Sequence, residues 1–167
     1  MSTVTEDRTR QGARSGLVLV GFLVLCFAVA GIAGAVTSSS VETWYPTLEK
    51  PAFTPPDWVF GPVWTALYAM MALAAWLVWR RTGWSGGRNA LGLFLGQLAL
   101  NLAWSVLFFG LQQVGWALVE IVVLLALILA TTMAFFRIDW RAGALLVPYL
   151  LWVGYAGALN AGIWALN

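Results

Sequence analysis

Histidine does not occur in the 167-residue chain, and cysteine occurs once, as Cys26. Without histidine the chain lacks the commonest side-chain ligand of metals and the commonest general base, which weighs against conventional acid–base or metal chemistry. One cysteine allows no disulfide within the chain. Its position in an apolar run predicts a small buried hydrophobic residue. We therefore predict no metal site.

Charged residues are also scarce, at 10% of the chain against 61% hydrophobic residues. Soluble domains carry about 25% charged residues, so water cannot be the solvent for most of this surface. The formal net charge of +2 is too small to indicate a nucleic-acid partner. We expect membrane lipid to surround the protein.

Long hydrophobic runs, by contrast, dominate the chain. A membrane-spanning helix needs about 20 mostly apolar residues. The sequence predicts an all-α integral membrane protein, a five-transmembrane-helix bundle forming one domain over residues 16–167 after a tail at 1–15. The predicted helices lie at about 16–36, 59–79, 89–111, 114–136 and 142–166.

The distribution of arginine and lysine predicts the orientation. Arginines occupy the N-terminal tail (Arg8, Arg10, Arg14) and the second and fourth connections, whereas Lys50 stands alone at the other end. Because cytoplasmic loops are rich in arginine and lysine, we predict a cytoplasmic N-terminus and an external C-terminus. Helical spans with this charge bias fit a bacterial inner membrane, and the outer membrane stays open as the alternative. The start of the chain resembles a secretory signal, but its apolar run exceeds the roughly 7–15 residues of such signals, so we expect the first helix to be retained.

Most of the prolines lie between Pro46 and Pro62, in and just after the predicted loop 37–58. Proline restricts the backbone, so this loop is extended and stiff, and Asp57 is a candidate N-cap for the second helix. Two interpretations of Trp44 and Trp58 stay open. They anchor the loop at headgroup depth, as interfacial tryptophans do, or they belong to a semi-rigid lid over a binding site.

Three helices carry aromatic stripes, two of them with amides. At about 100° per residue, such residues share one face of each helix. Buried amides face the interior of a bundle, where they tie helices together or contact a ligand. Converging stripes predict an aromatic-walled cavity for a flat apolar ligand. The stripes are Gln97, Asn101, Trp104 and Phe108 in the third helix, Tyr149, Trp152, Ala156, Leu159 and Asn160 in the fifth, and Trp64, Tyr68, Met71 and Ala75 in the second.

A second face of the third helix carries only small residues, which allow helix backbones to approach closely. This face packs either within the bundle or between subunits, and we favour a homodimer because the polar face must point inward. Glu120, in the fourth helix, is expected on the outer side, where it reaches the interface or bonds a neighbouring helix. The small-residue face consists of Gly92, Gly96, Ala99 and Ala103.

Four stretches of the chain resemble the TspO/MBR family of tryptophan-rich sensory proteins, which includes the mitochondrial translocator protein. They span residues 44–160 in the order and spacing of that family. They read WYPTLEKPAFTPPDWVFGPVWTALY, QLALNLAWSVLFFG, GWALVE and VPYLLWVGYAGALN.

The resemblance implies five transmembrane helices, a dimer, and a pocket beneath the first loop that binds protoporphyrin IX and benzodiazepine-site drugs. It implies no obligatory cofactor. Cholesterol is not expected as a partner, because no basic residue follows Tyr155 in the fifth helix. Carried onto this sequence, the ligand contacts are Tyr45, Trp64, Asn101, Trp104, Trp152, Ala156 and Leu159.

Three functions are compatible with such a pocket. The first is a receptor or regulator that binds tetrapyrroles and other flat apolar ligands. The second is a transporter, although the sequence shows no inverted repeat of the kind transporters use. The third is an enzyme that degrades porphyrin in light, for which the resemblance makes Trp64 and Trp152 the candidate catalytic residues.

Overall fold

Five helices account for most of the chain. The computed structural model describes the backbone of residues 2–167 and the side chains of residues 12–167. The helices are α1 (Ser2–Thr43), α2 (Phe60–Gly86), α3 (Arg88–Ser105), α4 (Val114–Ile138) and α5 (Trp140–Leu166). Each contains a segment long and apolar enough to cross a membrane. The predicted five-transmembrane-helix bundle is thereby confirmed.

The first helix is longer than predicted at both ends. It begins at Ser2, within the predicted tail, and continues to Thr43, beyond the expected end at residue 36. The polar residues after the apolar run stay helical because their hydroxyls bond to the preceding turn: Thr37 Oγ1 donates to the Ala33 carbonyl at 2.7 Å and Thr43 Oγ1 to the Ser39 carbonyl at 2.7 Å. The predicted loop 37–58 is therefore confined to 44–59. The side chains of Arg8 and Arg10 lie outside the described residues.

The second helix also continues past its predicted end at residue 79. Its backbone passes Arg80 and Arg81 and ends at Gly86, with a break at Gly83, whose φ of 66° is readily adopted only by glycine. The prediction ended this helix at the first charged residues, but helical hydrogen bonding does not require apolar side chains. The other helices agree with the prediction to within a few residues.

A π turn at Val106–Gly110 continues α3 at the end nearer the loop 44–59. In it the Leu111 N–H donates to the Val106 carbonyl at 2.8 Å, one residue further than in an α-helix. Phe108 and Phe109 lie within this wider turn.

The helices form a bundle that is densely packed in the half nearer the arginine-rich end, which we call the inner half; the half nearer the loop 44–59 is the outer half. Helix α1 packs against α2 and α3, α4 packs against α3 and α5, and α5 packs against α2. In the inner half Phe94 stacks on Phe135 with ring centroids 6.1 Å apart, and Met71 and Ile128 are fully buried beside them. Large apolar side chains such as Leu151 instead point outward. Hydrocarbon is the solvent of that surface, and the protein is an integral, multi-pass membrane protein.

One ion pair joins two helices at the arginine-rich end. Arg81 Nε donates to Asp139 Oδ2 at 2.9 Å, and the other carboxylate oxygen accepts from the Arg141 N–H at 2.9 Å, capping α5. The Arg141 backbone bond, helped by the Arg81 guanidinium, holds the pKa of Asp139 below its ordinary value, although burial acts the other way. Asp139 thus joins α2 to the start of α5. The assignment of this end to the cytoplasm stays a prediction.

We expect Asp139→Asn to lower the unfolding temperature in detergent by a few degrees at neutral pH, because the charge that pairs with Arg81 is lost. Asp139 is stabilising when ionised, so its contribution is complete above its ordinary pKa of 3.8 and is lost as the pH falls through the lower folded-state value. The gap between wild type and variant should therefore close below about pH 4. Circular dichroism melts over this range measure the gap.

Glu42→Gln, which alters an exposed acid at the other end of α1, serves as the control. A gap for Asp139→Asn that stays constant down to pH 3 would contradict the role assigned to the carboxylate.

Candidate functional site

A cavity of about 380 Å³ lies in the outer half of the bundle, beneath the loop 44–59. Its volume falls within the roughly 300–1,000 Å³ of small-molecule sites. Helices α1, α2, α3 and α5 and the π turn contribute its walls. All the predicted ligand contacts line it, although their contact with a ligand stays a prediction. They are Tyr45, Trp64, Asn101, Trp104, Trp152, Ala156 and Leu159.

Aromatic rings in contact with one another form the walls. Trp64 lies 5.6 Å from Tyr68 between ring centroids, and Trp104 stacks on Phe108 at 5.1 Å. Trp152 meets the edge of Phe60 at 5.8 Å. Each tryptophan is held by a second ring, so the walls are rigid and present flat apolar surfaces.

Hydrogen bonds hold the two amides of α3 in the bundle interior. Asn101 accepts from Tyr68 Oη at 2.6 Å through Oδ1 and donates to Tyr149 Oη at 3.2 Å through Nδ2. Gln97 accepts from Tyr149 Oη at 2.7 Å. Asn101 therefore ties α2, α3 and α5 together and also lines the cavity, so the two interpretations of the buried amides are compatible for this residue.

The amide side chain of Asn160, in α5, fixes the orientation of a wall residue. Trp104 Nε1 donates to Asn160 Oδ1 at 3.2 Å, and Asn160 Nδ2 donates to the Val114 carbonyl at 2.9 Å. This chain joins α3, α5 and the first turn of α4. It holds the Trp104 ring in place across the cavity from α2.

One polar atom in the wall is left without a partner. Trp152 Nε1 is buried and makes no hydrogen bond to any part of the chain that the structure describes. A buried N–H of this kind costs roughly 1–3 kcal/mol unless a ligand or water accepts from it. This N–H is an unpaired polar group within one of the residues that line the cavity.

The loop 44–59 is attached to the outer end of α5 at several points. Tyr155 Oη donates to the Phe53 carbonyl at 2.7 Å. Asn167 accepts from the Glu49 N–H at 3.1 Å and donates to the Glu49 carbonyl at 3.0 Å. The ring of Pro51 lies so close to Gly162 that no Cβ could fit between them. These contacts hold the loop over the cavity.

The ring of Tyr45, in the loop that forms the roof of the cavity, lies beneath the ammonium group of Lys50. Lys50 Nζ stands 4.2 Å from the centroid of its ring. Burial, with the nearby Asp57 and Tyr155, raises the pKa of Tyr45, which therefore stays neutral at physiological pH. Asp57 was expected to cap the second helix through its side chain, and this expectation is wrong. It begins a short 3₁₀ turn, Asp57–Val59, ahead of α2, and its side chain accepts no capping hydrogen bond.

Trp44 and Trp58, for which the sequence allowed two interpretations, differ in environment. Trp58 is 74% exposed and does not line the cavity, which matches an anchor at headgroup depth. Trp44 packs its ring 5.8 Å from Phe108. It therefore belongs to the aromatic cluster at the top of the cavity.

Comparison with known proteins agrees with this architecture. A model of the TspO/MBR family matches residues 22–165. The chain belongs to the TspO/MBR family. It is 46% identical over 154 residues to the tryptophan-rich protein TspO of Chlorobaculum tepidum, covering 90% of this chain and 96% of that protein. The tryptophan-rich sensory protein of Cereibacter sphaeroides is 42% identical over 147 residues (87% and 91% coverage), and the bovine translocator protein is 40% identical over 151 residues (89% of each).

The sequence analysis missed the contribution of the first helix to this TspO/MBR cavity. The membrane-spanning part of that helix, Gly12–Thr43, carries no aromatic stripe and no amide, so nothing in its chemistry pointed to a site. Its small residues at i, i+3 and i+4 were the available signal, since they leave room beside the helix. The cavity-lining residues of α1 are Phe27, Ala30, Ala33, Gly34, Thr37 and Val41.

Glu120 lies about two turns inside α4, as predicted, but in the described part of the chain it does not form a hydrogen bond to a neighbouring helix. It was expected to reach the interface or to bond a neighbouring helix. Both carboxylate oxygens are instead buried, and neither has a hydrogen-bond partner within the described residues.

We expect Gly162→Ala to loosen the loop, because the added methyl group would displace the Pro51 ring. A spin label on Ala52→Cys, an exposed loop position, should then give a more mobile electron paramagnetic resonance spectrum. Cys26 is fully buried, which limits competing labelling.

Gly154→Ala is the matched control, since a Cβ at that position of the same helix meets no atom within 4 Å. Equal label mobility in the two variants would show that the Pro51 contact does not hold the loop.

Proposed function

We propose that this protein is a membrane receptor or regulator whose cavity binds flat aromatic ligands of the porphyrin class. The main support is that three tryptophans, Trp64, Trp104 and Trp152, line one cavity. The loop 44–59, which is bonded to α5, covers that cavity. Stacking on such rings favours a large planar ligand. Relatives named translocator protein and tryptophan-rich sensory protein support a role in recognition rather than in a structural assembly.

The charge at the roof of the cavity supports the same ligand class. Lys50 lies over Tyr45, a lining residue, and is the only lysine of the chain. A porphyrin such as protoporphyrin IX carries two carboxylates at one edge of an apolar plane. A cation at the roof and aromatic walls below it suit that distribution of charge.

We expect Trp152→Ala to weaken protoporphyrin IX binding by roughly tenfold, because one wall of the stacking surface is removed. The shift of the porphyrin absorption band on titration in detergent measures the affinity. Trp164→Ala removes a tryptophan from the same helix that is exposed and outside the cavity, so its affinity should match the wild type. Equal affinities for all three proteins would remove the cavity as the porphyrin site.

We further propose that two copies associate through the small-residue face of α3. Gly92 and Ala99 are exposed on the protomer, and close approach of two helices requires residues of this size. Gly96 also serves packing within the protomer, because a Cβ there would lie 3.3 Å from the side chain of Leu127 in α4. The face consists of Gly92, Gly96, Ala99 and Ala103.

We expect Ala99→Leu to shift the protein from dimer to monomer in light scattering of the detergent-solubilised form, since the larger side chain separates the helices. Val122→Leu, an exposed change on α4, should leave the mass unchanged. A dimer that persists in Ala99→Leu would place the interface elsewhere.

A further inference from the structure

Of the described residues that line the cavity, Asp57 is the only acidic one. It belongs to the loop that forms the roof, where it begins the turn Asp57–Val59, and it is exposed. Its side chain caps neither that turn nor α2, and the ion pair found among the described residues joins Arg81 to Asp139 instead. An ionised carboxylate that the protein leaves unpaired attracts a positively charged group of a ligand.

Asp57 lies above the tryptophan that α2 contributes to the wall. Asp57, Gly61 and Trp64 follow one another at spacings of four and three residues, which place them on one side of this segment. All three line the cavity. Seven residues of helix cover roughly 10 Å along the axis. A ligand of two or three fused rings can therefore stack on Trp64 while a charged group at its end reaches toward Asp57.

The other charges near the roof lie outside the lining of the cavity. Glu42 and Glu49 are exposed acids, and Lys50 Nζ stands 4.2 Å from the centroid of the Tyr45 ring. Burial, followed by the Asp57 carboxylate, raises the pKa of Tyr45, so the Asp57 charge acts on a lining residue. With three acids against one lysine at this end of the described chain, a cation under the roof meets a net negative potential.

The tryptophans of the cavity are not covered by basic side chains of the protein. In the part of the chain that the structure describes, cations stand over the rings of Tyr45, Trp76 and Trp140, and only the first of these rings lines the cavity. Tryptophan is the side chain whose ring face attracts cations most strongly. The wall tryptophans can therefore receive a positively charged ligand.

We propose that the cavity binds flat aromatic cations as a second class of ligand, with the tryptophans as the stacking surface and the Asp57 carboxylate as the counter-ion. Ligands of this class carry a quaternary or protonated nitrogen at one end of a fused-ring system. They differ from porphyrins in the sign of the charge that lies under the roof. Asp57 serves the cations and Lys50 serves carboxylates, so the two classes depend on different residues. The inference uses the cavity of the proposed function but does not depend on porphyrin binding.

A matched pair of probes tests this preference for positive charge. The cation is 2-anthrylmethyl trimethylammonium, and its neutral counterpart is 2-neopentylanthracene. A trimethylammonium group and a tert-butyl group have nearly the same shape, and the first is charged at every pH. Energy transfer from tryptophan to anthracene measures both affinities in an uncharged detergent. Each variant is compared with the wild type for the same probe, so partition of the probe into the micelle cancels.

Asp57→Asn removes the charge and keeps the shape of the side chain. At about 0.15 M salt, we expect it to weaken binding of the cation roughly two- to fivefold, the range of a partly exposed ion pair. Binding of the neutral probe should not change. Lys50→Gln should have the opposite effect and strengthen binding of the cation. Glu49→Gln, which removes an exposed acid outside the lining, is the control and should change neither affinity.

A salt titration of the wild type tests the same role without a variant that has to fold. Raising the salt from about 0.05 M to about 1 M shortens the range of the attraction between charges and leaves stacking in place. We expect the affinity for the cation to fall with salt and the affinity for the neutral probe to stay level.

The outcomes separate this inference from the proposed function. If the wild type binds protoporphyrin IX but not the cation, the inference is overturned and the proposed function stands. If it binds the cation but not protoporphyrin IX, the proposed function falls and the inference stands. Equal losses in Asp57→Asn and Glu49→Gln, or an affinity for the cation that ignores both Asp57→Asn and salt, would overturn the role of Asp57. A loss confined to the cation in Asp57→Asn supports that role.

Discussion

Pairing of polar side chains inside a hydrocarbon solvent is the constraint on which the bundle depends. Asn101, Gln97 and Asn160 find no partner in lipid, so α3 and α5 must rotate until these amides face other helices. The resulting bonds to Tyr68, Tyr149 and the Val114 carbonyl join four of the five helices. Aromatic residues on the same stripes are carried to the interior by that rotation. The walls of the cavity are thus a consequence of where the amides must point.

The two halves of the bundle differ because of side-chain size. In the inner half, Phe94 and Phe135 fill the space between helices. In the outer half, small residues such as Ala33 and Gly34 stand opposite the tryptophans of other helices, and the space between them stays open. Large rings that brace one another cannot collapse into that space. The cavity therefore exists without a ligand to hold it open.

Most residues of the site could be predicted from helical periodicity. The end of α1 and the attachment of the loop 44–59, which border the site, could not. Trp64, Asn101 and Trp152 could be placed on inward faces because a 3.6-residue repeat and the cost of burying amides leave few other choices. The end of α1 at Thr43 could not, since it depends on hydroxyl bonds to the preceding turn. The anchoring of Phe53 by Tyr155 joins residues far apart in sequence, and no local pattern encodes it.

The π turn at Val106–Gly110 changes the rotation per residue where α3 ends. A wider turn takes up one more residue with little added length, and Phe108 and Phe109 lie within it. Both rings reach the cavity, which two adjacent positions on an α-helix, about 100° apart, do less readily. Asn101 lies in the regular helix before the turn, so the amide and the two phenylalanine rings that this segment contributes to the site are set by different helical geometries.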